Sequence, residues 1–437
     1  MSSVKSRKNR NIVVLKSREK AARKVRHGQW FYSFIPFKIF TGGMSQLIPI
    51  IAIQEGGTSV DLGYLGGAGS LASMLGGVFW GRLSDKFGRR KVFLILGFIG
   101  SSLLAMGLIL STSVKSLIVL TFLYTFFVAA TIPIPVSLIS REFNKPKIGE
   151  ATGRFNKIGG WAWVGGLLLG LALLMIIPAK GISLILGSIG ILSAVIAVKN
   201  IRETPIHLHL KRVSPPTFFF LPRRVSLPKI STLNGELRML FMSSMLLWAG
   251  SMLLLTQFPM LAKEKGFNGR LLYILGLASS TISAMTYLKV GRSLRGNGMH
   301  NFFLGQEVRV IALLVLGASI VLTGYAFLGV SILGYMLLGY SWSLMSVSST
   351  AIIAHKSSKK TRGRIAGAYN FVSSGGAIAG NFASGYLAST IGIPGDFAAG
   401  VVLAGLSLIP TMKMVKAEGH PLNFGLLLRS RGRGLGL

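Results

Sequence analysis

Apolar runs of about twenty residues recur along the chain, and charged clusters separate them. That is the length a helix needs to cross the hydrocarbon core of a bilayer. Twelve runs can be drawn, over residues 30–54, 61–81, 92–113, 117–140, 152–177, 181–199, 238–262, 270–290, 304–327, 330–354, 364–388 and 394–413. The pattern predicts an all-α integral membrane protein of twelve transmembrane helices. Trp30, Phe31 and Tyr32 suit an interfacial belt at the start of the first.

The connections alternate in charge. The odd-numbered ones hold Glu55 and Asp61, then Lys115, Lys180, Lys263 with Glu264 and Lys265, and finally Asp396. The even-numbered ones and both ends hold nearly all remaining Lys and Arg. Basic residues stay on the cytoplasmic side, so both termini are expected there, in a multi-pass protein of the cell membrane. Residues 1–29 form a basic tail, with ten Lys or Arg and one Glu in the first 28 positions. The first run is too long for a signal-peptide core and has no small-residue cleavage site, so the tail is expected to be retained. Residues 200–237 contain Pro205, Pro215, Pro216, Pro222 and Pro228 among basic residues. They read as a cytoplasmic linker between two six-helix halves, 30–199 and 238–413, with a C-terminal tail at 414–437.

The halves repeat. Gly149, Gly153, Phe155 and Asn156 return as Gly363, Gly367, Tyr369 and Asn370, at a constant offset of 214 residues. Gly81, Arg82 and Gly88 match Gly291, Arg292 and Gly298 at an offset of 210, with Arg295 where the first copy has Asp85.

Between the second and third runs stands Gly81-Arg82-Leu83-Ser84-Asp85-Lys86-Phe87-Gly88-Arg89-Arg90-Lys91. Charges at this density cannot sit in hydrocarbon, so an aqueous turn is expected. Gly81, Leu83, Asp85, Lys86, Gly88, Arg89 and Arg90 fill every fixed position of the loop signature G-x-L-x-D-[RK]-x-G-R-[RK]. The chain thus resembles the major facilitator superfamily over most of residues 30–413. The resemblance implies two pseudo-symmetric halves, alternating access, and a substrate site between the halves. It also implies a gate in which Asp85 docks at the start of the eleventh helix, near Arg364. The repeat then suggests a charge-swapped second latch, Arg295 with Glu150, and Arg89 is expected to pair with Glu142. The fifth run looks like the antiporter signature of drug exporters, but Gly165 is followed by Gly166 where that signature has proline. Arg202-Glu203-Thr204-Pro205 only echoes the sugar-porter motif. The branch stays open between the two.

Composition narrows the chemistry. The 437 residues are 51% hydrophobic and only 14% charged, with mean hydropathy +0.59, which excludes an ordinary soluble domain. The net charge of +36 is accounted for by loop and tail residues facing anionic lipid heads, so no nucleic-acid partner is expected. No cysteine is present, which removes thiolate and disulfide chemistry. No acidic residue or histidine falls in the middle of a predicted span, so no enzyme, cofactor or metal is expected, and the usual core carboxylate for proton coupling is missing. Glu55 and Asp61 are the nearest substitutes. A monomer is expected.

The candidate substrate contacts are polar or aromatic residues within the spans. They are Lys38, Gln46, Asn156, Trp161, Trp248, Gln257, Trp342, Asn370 and Asn381, with Trp163, Tyr340 and Lys157 nearby. A small-molecule site combines apolar walls with a few placed polar groups. Lys38 is the one intramembrane cation in this reading, roughly 12 Å past Trp30 at 1.5 Å per residue. Gly159, Gly160, Gly165, Gly166 and Gly170 are expected to let helices approach closely. Efflux of amphipathic compounds is the first functional expectation. Uptake or facilitated diffusion of an anionic metabolite or sugar is the alternative, and a transport-inactive receptor or scaffold is the rival from another class.

Overall fold

A computed structural model describes residues 28–87, 89–143, 145–201, 235–293, 298–357 and 362–417. Gly88 and Arg295 lie outside the described residues, as do the linker 202–234, the outer parts of both tails, and the side chains of Asp85, Glu150 and Arg364.

Every described element is helical. The first helix is Ile35–Gln54, entered through a 3-10 turn at Gln29–Phe34. Ser59–Phe87 and Arg90–Met106 are the second and third. The fourth runs as Val114–Val128, a 3-10 turn at Ala129–Thr131, and Pro133–Glu142. Lys145–Leu173 and Ala179–Asn200 complete the first half. The second half has Gly235–Glu264, Arg270–Ser293, Gly298–Ala318 and Gly324–Lys356 as helices seven to ten. The continuous stretch Arg362–Leu406 is two spans joined at Gly392, where the backbone turns to φ 77°. Helices eleven and twelve therefore meet at one glycine, and Leu408–Ala417 extends the twelfth.

Several boundaries differ from those the hydropathy predicts. The second helix continues through Asp85 to Phe87, so most of the stretch expected as an aqueous turn is helical. Charged side chains at a helix end can reach water without the backbone unwinding. The ninth helix starts at Gly298 rather than 304, because polar His300 and Asn301 depress the local hydropathy without breaking the helix. Asp396, expected in a loop, is fully buried on the twelfth helix.

The repeat is built into the fold. After the first helix, Glu55, Gly56 and Gly57 donate backbone hydrogen bonds to Ile51, Ile53 and Ala52. After the seventh, Lys265, Gly266 and Phe267 donate to Leu261, Lys263 and Ala262, each 210 residues on. Gly56 and Gly266 share φ +81°, the left-handed turn that ends a helix and that side chains resist. Pro49 and Pro259 sit inside the same two helices at the same offset. Packing repeats as well. A Cβ on Gly166 would run into the Ile39 carbonyl, and one on Gly380 into the Ala249 carbonyl. These two contacts join the first helix to the fifth, and the seventh to the eleventh.

Each half has its own clamp. Glu55 pairs with Lys180 at 2.6 Å and accepts from Ser111 Oγ at 2.8 Å, tying three connections together. Asp61 accepts from Thr58 N and Thr58 Oγ1 and so caps the second helix. Both acids are thus held by neighbours in their own half, at the face opposite the termini. Glu236 pairs with Lys356 at 2.5 Å, between helices seven and ten. Apolar side chains such as Leu110, Val119, Leu192 and Val402 are exposed, as a lipid-facing shell requires.

Candidate substrate cavity

The halves meet along two helix pairs, the second with the eleventh and the fifth with the eighth. Small residues allow the approach. Gly63 abuts the Gly385 backbone and Gly160 lies against Ala284, while Gly170 admits the Tyr273 ring. Hydrogen bonds then cross between the halves. Tyr273 Oη donates to Gly43 O at 2.9 Å, and Gln257 Nε2 to Ser59 O at 3.0 Å. Asn381 Nδ2 donates to Ser70 Oγ at 3.0 Å, and Thr256 Oγ1, from the same half as Asn381, steadies that amide by donating to its Oδ1 at 2.5 Å. These bonds lie between mid-membrane and the face opposite the termini. On the terminal side, Gly153 meets Leu288 in an apolar contact.

Between the pairs lies a cavity of about 500 Å³. Its lining includes Gln46, Pro49, Leu62, Leu65, Thr121 and Trp163 from the first half. Pro259, Ser279, Ser280, Arg309, Tyr335 and Trp342 come from the second. Both repeated prolines face it, so the cavity sits near the axis relating the halves. Its size lies within the ~300–1,000 Å³ range of small-molecule sites.

The predicted residues divide by location. Gln46 and Trp342 line the cavity, and Trp342 is 40% exposed although it is centrally placed. Trp248 stands behind the lining with its ring edge-on to Trp342, centroids 5.8 Å apart. Lys38 is half-buried with Nζ 5.8 Å from the Trp163 ring centroid, one layer toward the termini. Gln257 and Asn381 are spent on the interface bonds above. Trp161 is exposed, roughly 200° around its helix from Trp163. Asn156 is half-buried and Asn370 exposed, and neither makes a side-chain hydrogen bond among the described residues.

Arg309 is the site residue that the sequence reading omits. It lies at mid-helix on the ninth span, only 5% exposed. Its Nε donates to Ser251 Oγ at 2.9 Å, and its guanidinium lies 4.9 Å from the Trp248 ring centroid. Lys38 is therefore not the lone intramembrane cation. The available signal was Arg309 itself, a charge inside an apolar run.

Asp396 is the one fully buried carboxylate among the described residues. It accepts from Ser384 Oγ at 2.9 Å, and its Oδ1 has no partner there. It stands apart from the cavity lining. Of the gating residues, Glu142 accepts from Trp30 Nε1 at 2.5 Å and from Gly28 N at 3.2 Å, fixing the entry to the first helix. Arg89 is exposed, and no Arg89–Glu142 ion pair occurs among the described residues. Gly81 has open space around it, Leu83 packs against the core, and Lys86 lies 6.0 Å from the Phe87 ring centroid.

A family profile described as Major Facilitator Superfamily matches residues 30–381. No curated protein matches the chain. Solved structures share the fold. The nucleoside transporter NupG has TM-score 0.63 at 15% identity, covering 90% of this chain and 99% of that one. A bacterial homolog of the human lysosomal transporter Spinster, inward-facing and unoccupied, has TM-score 0.64 at 15% identity, covering 90% and 98%. The human organic anion transporter MFSD10 (TETRAN) has TM-score 0.63 at 17% identity, covering 89% and 99%.

Proposed function

The chain belongs to the major facilitator superfamily, and from that premise we propose that it carries small amphipathic organic molecules across the cell membrane by alternating access. The observation that supports this most is the cavity walled by both halves, with aromatic and small polar groups interleaved. A substrate seated there touches both halves, so its binding energy can bias their relative rotation. The crossing hydrogen bonds close the face opposite the termini in this state. With both termini placed in the cytoplasm we read this as an inward-facing arrangement, and we infer export of amphipathic compounds from the aromatic wall of the cavity. Asp85 with Arg364 and Arg295 with Glu150 would then latch the cytoplasmic side in the opposite state. The protein works as a monomer on this reading, with its basic loops against anionic lipid heads.

Uptake of an anionic metabolite is the second reading, favoured by the cation in the cavity wall. Purified protein in liposomes separates the possibilities. Flux of amphipathic compounds, driven in either direction by their own gradients, is expected, and adding a pH gradient reads coupling. A protein that moves nothing in a broad panel is a receptor or scaffold instead.

A further inference from the structure

We propose that the cavity recognises an amphipathic organic anion, and that Arg309 is the residue that takes its acidic group. This rests on the transport reading above and narrows its substrate class.

A cation in mid-bilayer is costly, about 2.5–3.5 kcal/mol on insertion scales, and is normally paired. Arg309 has no carboxylate within ion-pair distance among the described residues. Of the described acids, Glu55 pairs with Lys180 and Glu236 with Lys356, Asp396 accepts from Ser384, Asp61 from Thr58 and Glu142 from Trp30, while Glu264 is exposed at the end of the seventh helix. Glu307 precedes Arg309 by two residues and so projects roughly 200° around the same helix. What supports Arg309 is neutral. Ser251 takes Nε, and Trp248 takes one face of the guanidinium. Stacking on an indole is a recognised compensation for a desolvated cation. It leaves the terminal N–H groups of the five-donor fork without a protein acceptor among the described residues, on a residue that lines the cavity.

A planar oxyanion matches that fork, with two parallel charge-assisted bonds in a site of low dielectric. The remaining wall selects what the acid is attached to. Trp163, Trp342, Tyr335, Leu62 and Leu65 offer flat apolar surface, and among the described residues no acid lines the cavity. Lys38, behind Trp163, adds positive potential from the terminal side. A small inorganic anion would lose its hydration against these walls and gain only one fork in return. An organic cation would meet Arg309 with nothing to offset it.

Calorimetric titration of the full-length protein in nanodiscs tests this with three probes: naphthalene-2-carboxylate, naphthalene-2-carboxamide and inorganic sulfate. The carboxylate is expected to bind at least about tenfold more tightly than the carboxamide, equivalent to about 1.4 kcal/mol. Arg309→Gln should erase that gap and leave carboxamide affinity within about threefold. Arg309→Lys keeps the charge without the fork and should retain part of the gap, which serves if the glutamine variant does not fold. Equal affinity for the two naphthalenes, or no binding of either, overturns the inference. So does a gap unchanged in either Arg309 variant, or sulfate competing as well as the carboxylate. Liposome flux is read separately: if neutral compounds still move, the transport reading stands while the anion assignment falls.

Discussion

Arg309 is held from one side by a hydroxyl and from another by an indole, and each support has a measurable share. Replacing Ser251 by alanine removes the acceptor at Nε and leaves the charge in place. We expect naphthalene-2-carboxylate to bind about fivefold more weakly to Ser251→Ala, near the ~1 kcal/mol of one hydrogen bond, and the melting temperature to fall because the buried Nε–H of Arg309 loses its acceptor. Calorimetry beside a thermal unfolding scan checks both halves of that statement. Gln46 and Trp342 were among the polar and aromatic residues that stand out within the apolar spans, and both line the cavity. Arg309 did not stand out, for a positional reason. Hydropathy starts the ninth span at 304, which leaves the arginine near a border, whereas the helix begins at Gly298 and carries it to mid-membrane. Asp396 was missed through the same kind of error. A helix that restarts immediately after Gly392 leaves no loop to hold the acid.

Helices here touch through glycine, and not every glycine is a contact. Gly166 and Gly380 press on neighbouring carbonyls, while Gly77 and Gly405 face open space. Gly166→Ala and Gly380→Ala should each destabilise the protein by about 1–3 kcal/mol, as overpacking does. Gly77→Ala and Gly405→Ala should be neutral or slightly stabilising, since alanine is the better helix former by up to ~1 kcal/mol. Melting temperatures of the four variants in one detergent decide this, and equal losses at all four sites would contradict it. The run of fifth-helix glycines announced close packing in the sequence. Which partner each one meets did not follow, because that depends on how the helix is rotated. The repeat was more informative. An offset of 214 in four residues predicted related fifth and eleventh helices, and the Gly166 and Gly380 contacts are related in that way.

At the scale of the whole molecule, conformational state is the measurable quantity, and a chain without cysteine suits the measurement. Leu65→Cys places a single thiol in the cavity wall. In the state described here it should react with a membrane-impermeant maleimide from the terminal face and be protected from the other. Adding Asn381→Ala removes the bond to Ser70 and the acceptor of Thr256, so labelling from the opposite face should rise at least several-fold. If it does not, the closure rests on the Tyr273–Gly43 and Gln257–Ser59 bonds and the glycine contacts. In the same reporter, Asp85→Arg or Arg364→Asp should each shift labelling, and the double swap should restore it. The twelve-helix plan was readable because a bilayer enforces span length and loop charge. The interface bonds were not, since an amide pattern does not say whether Gln257 and Asn381 will meet a substrate or the opposite half. The repeated prolines extend this further. Each ring leaves the carbonyl four residues earlier, at Ser45 and at Leu255, without its helical partner, and both of those residues border the cavity. The first and seventh helices therefore have their weakest bending stiffness at one shared depth, on opposite sides of whatever is bound. A molecule bound in the cavity would lean on two matched springs, and on the transport reading each half would yield locally beside it before either one turns as a block.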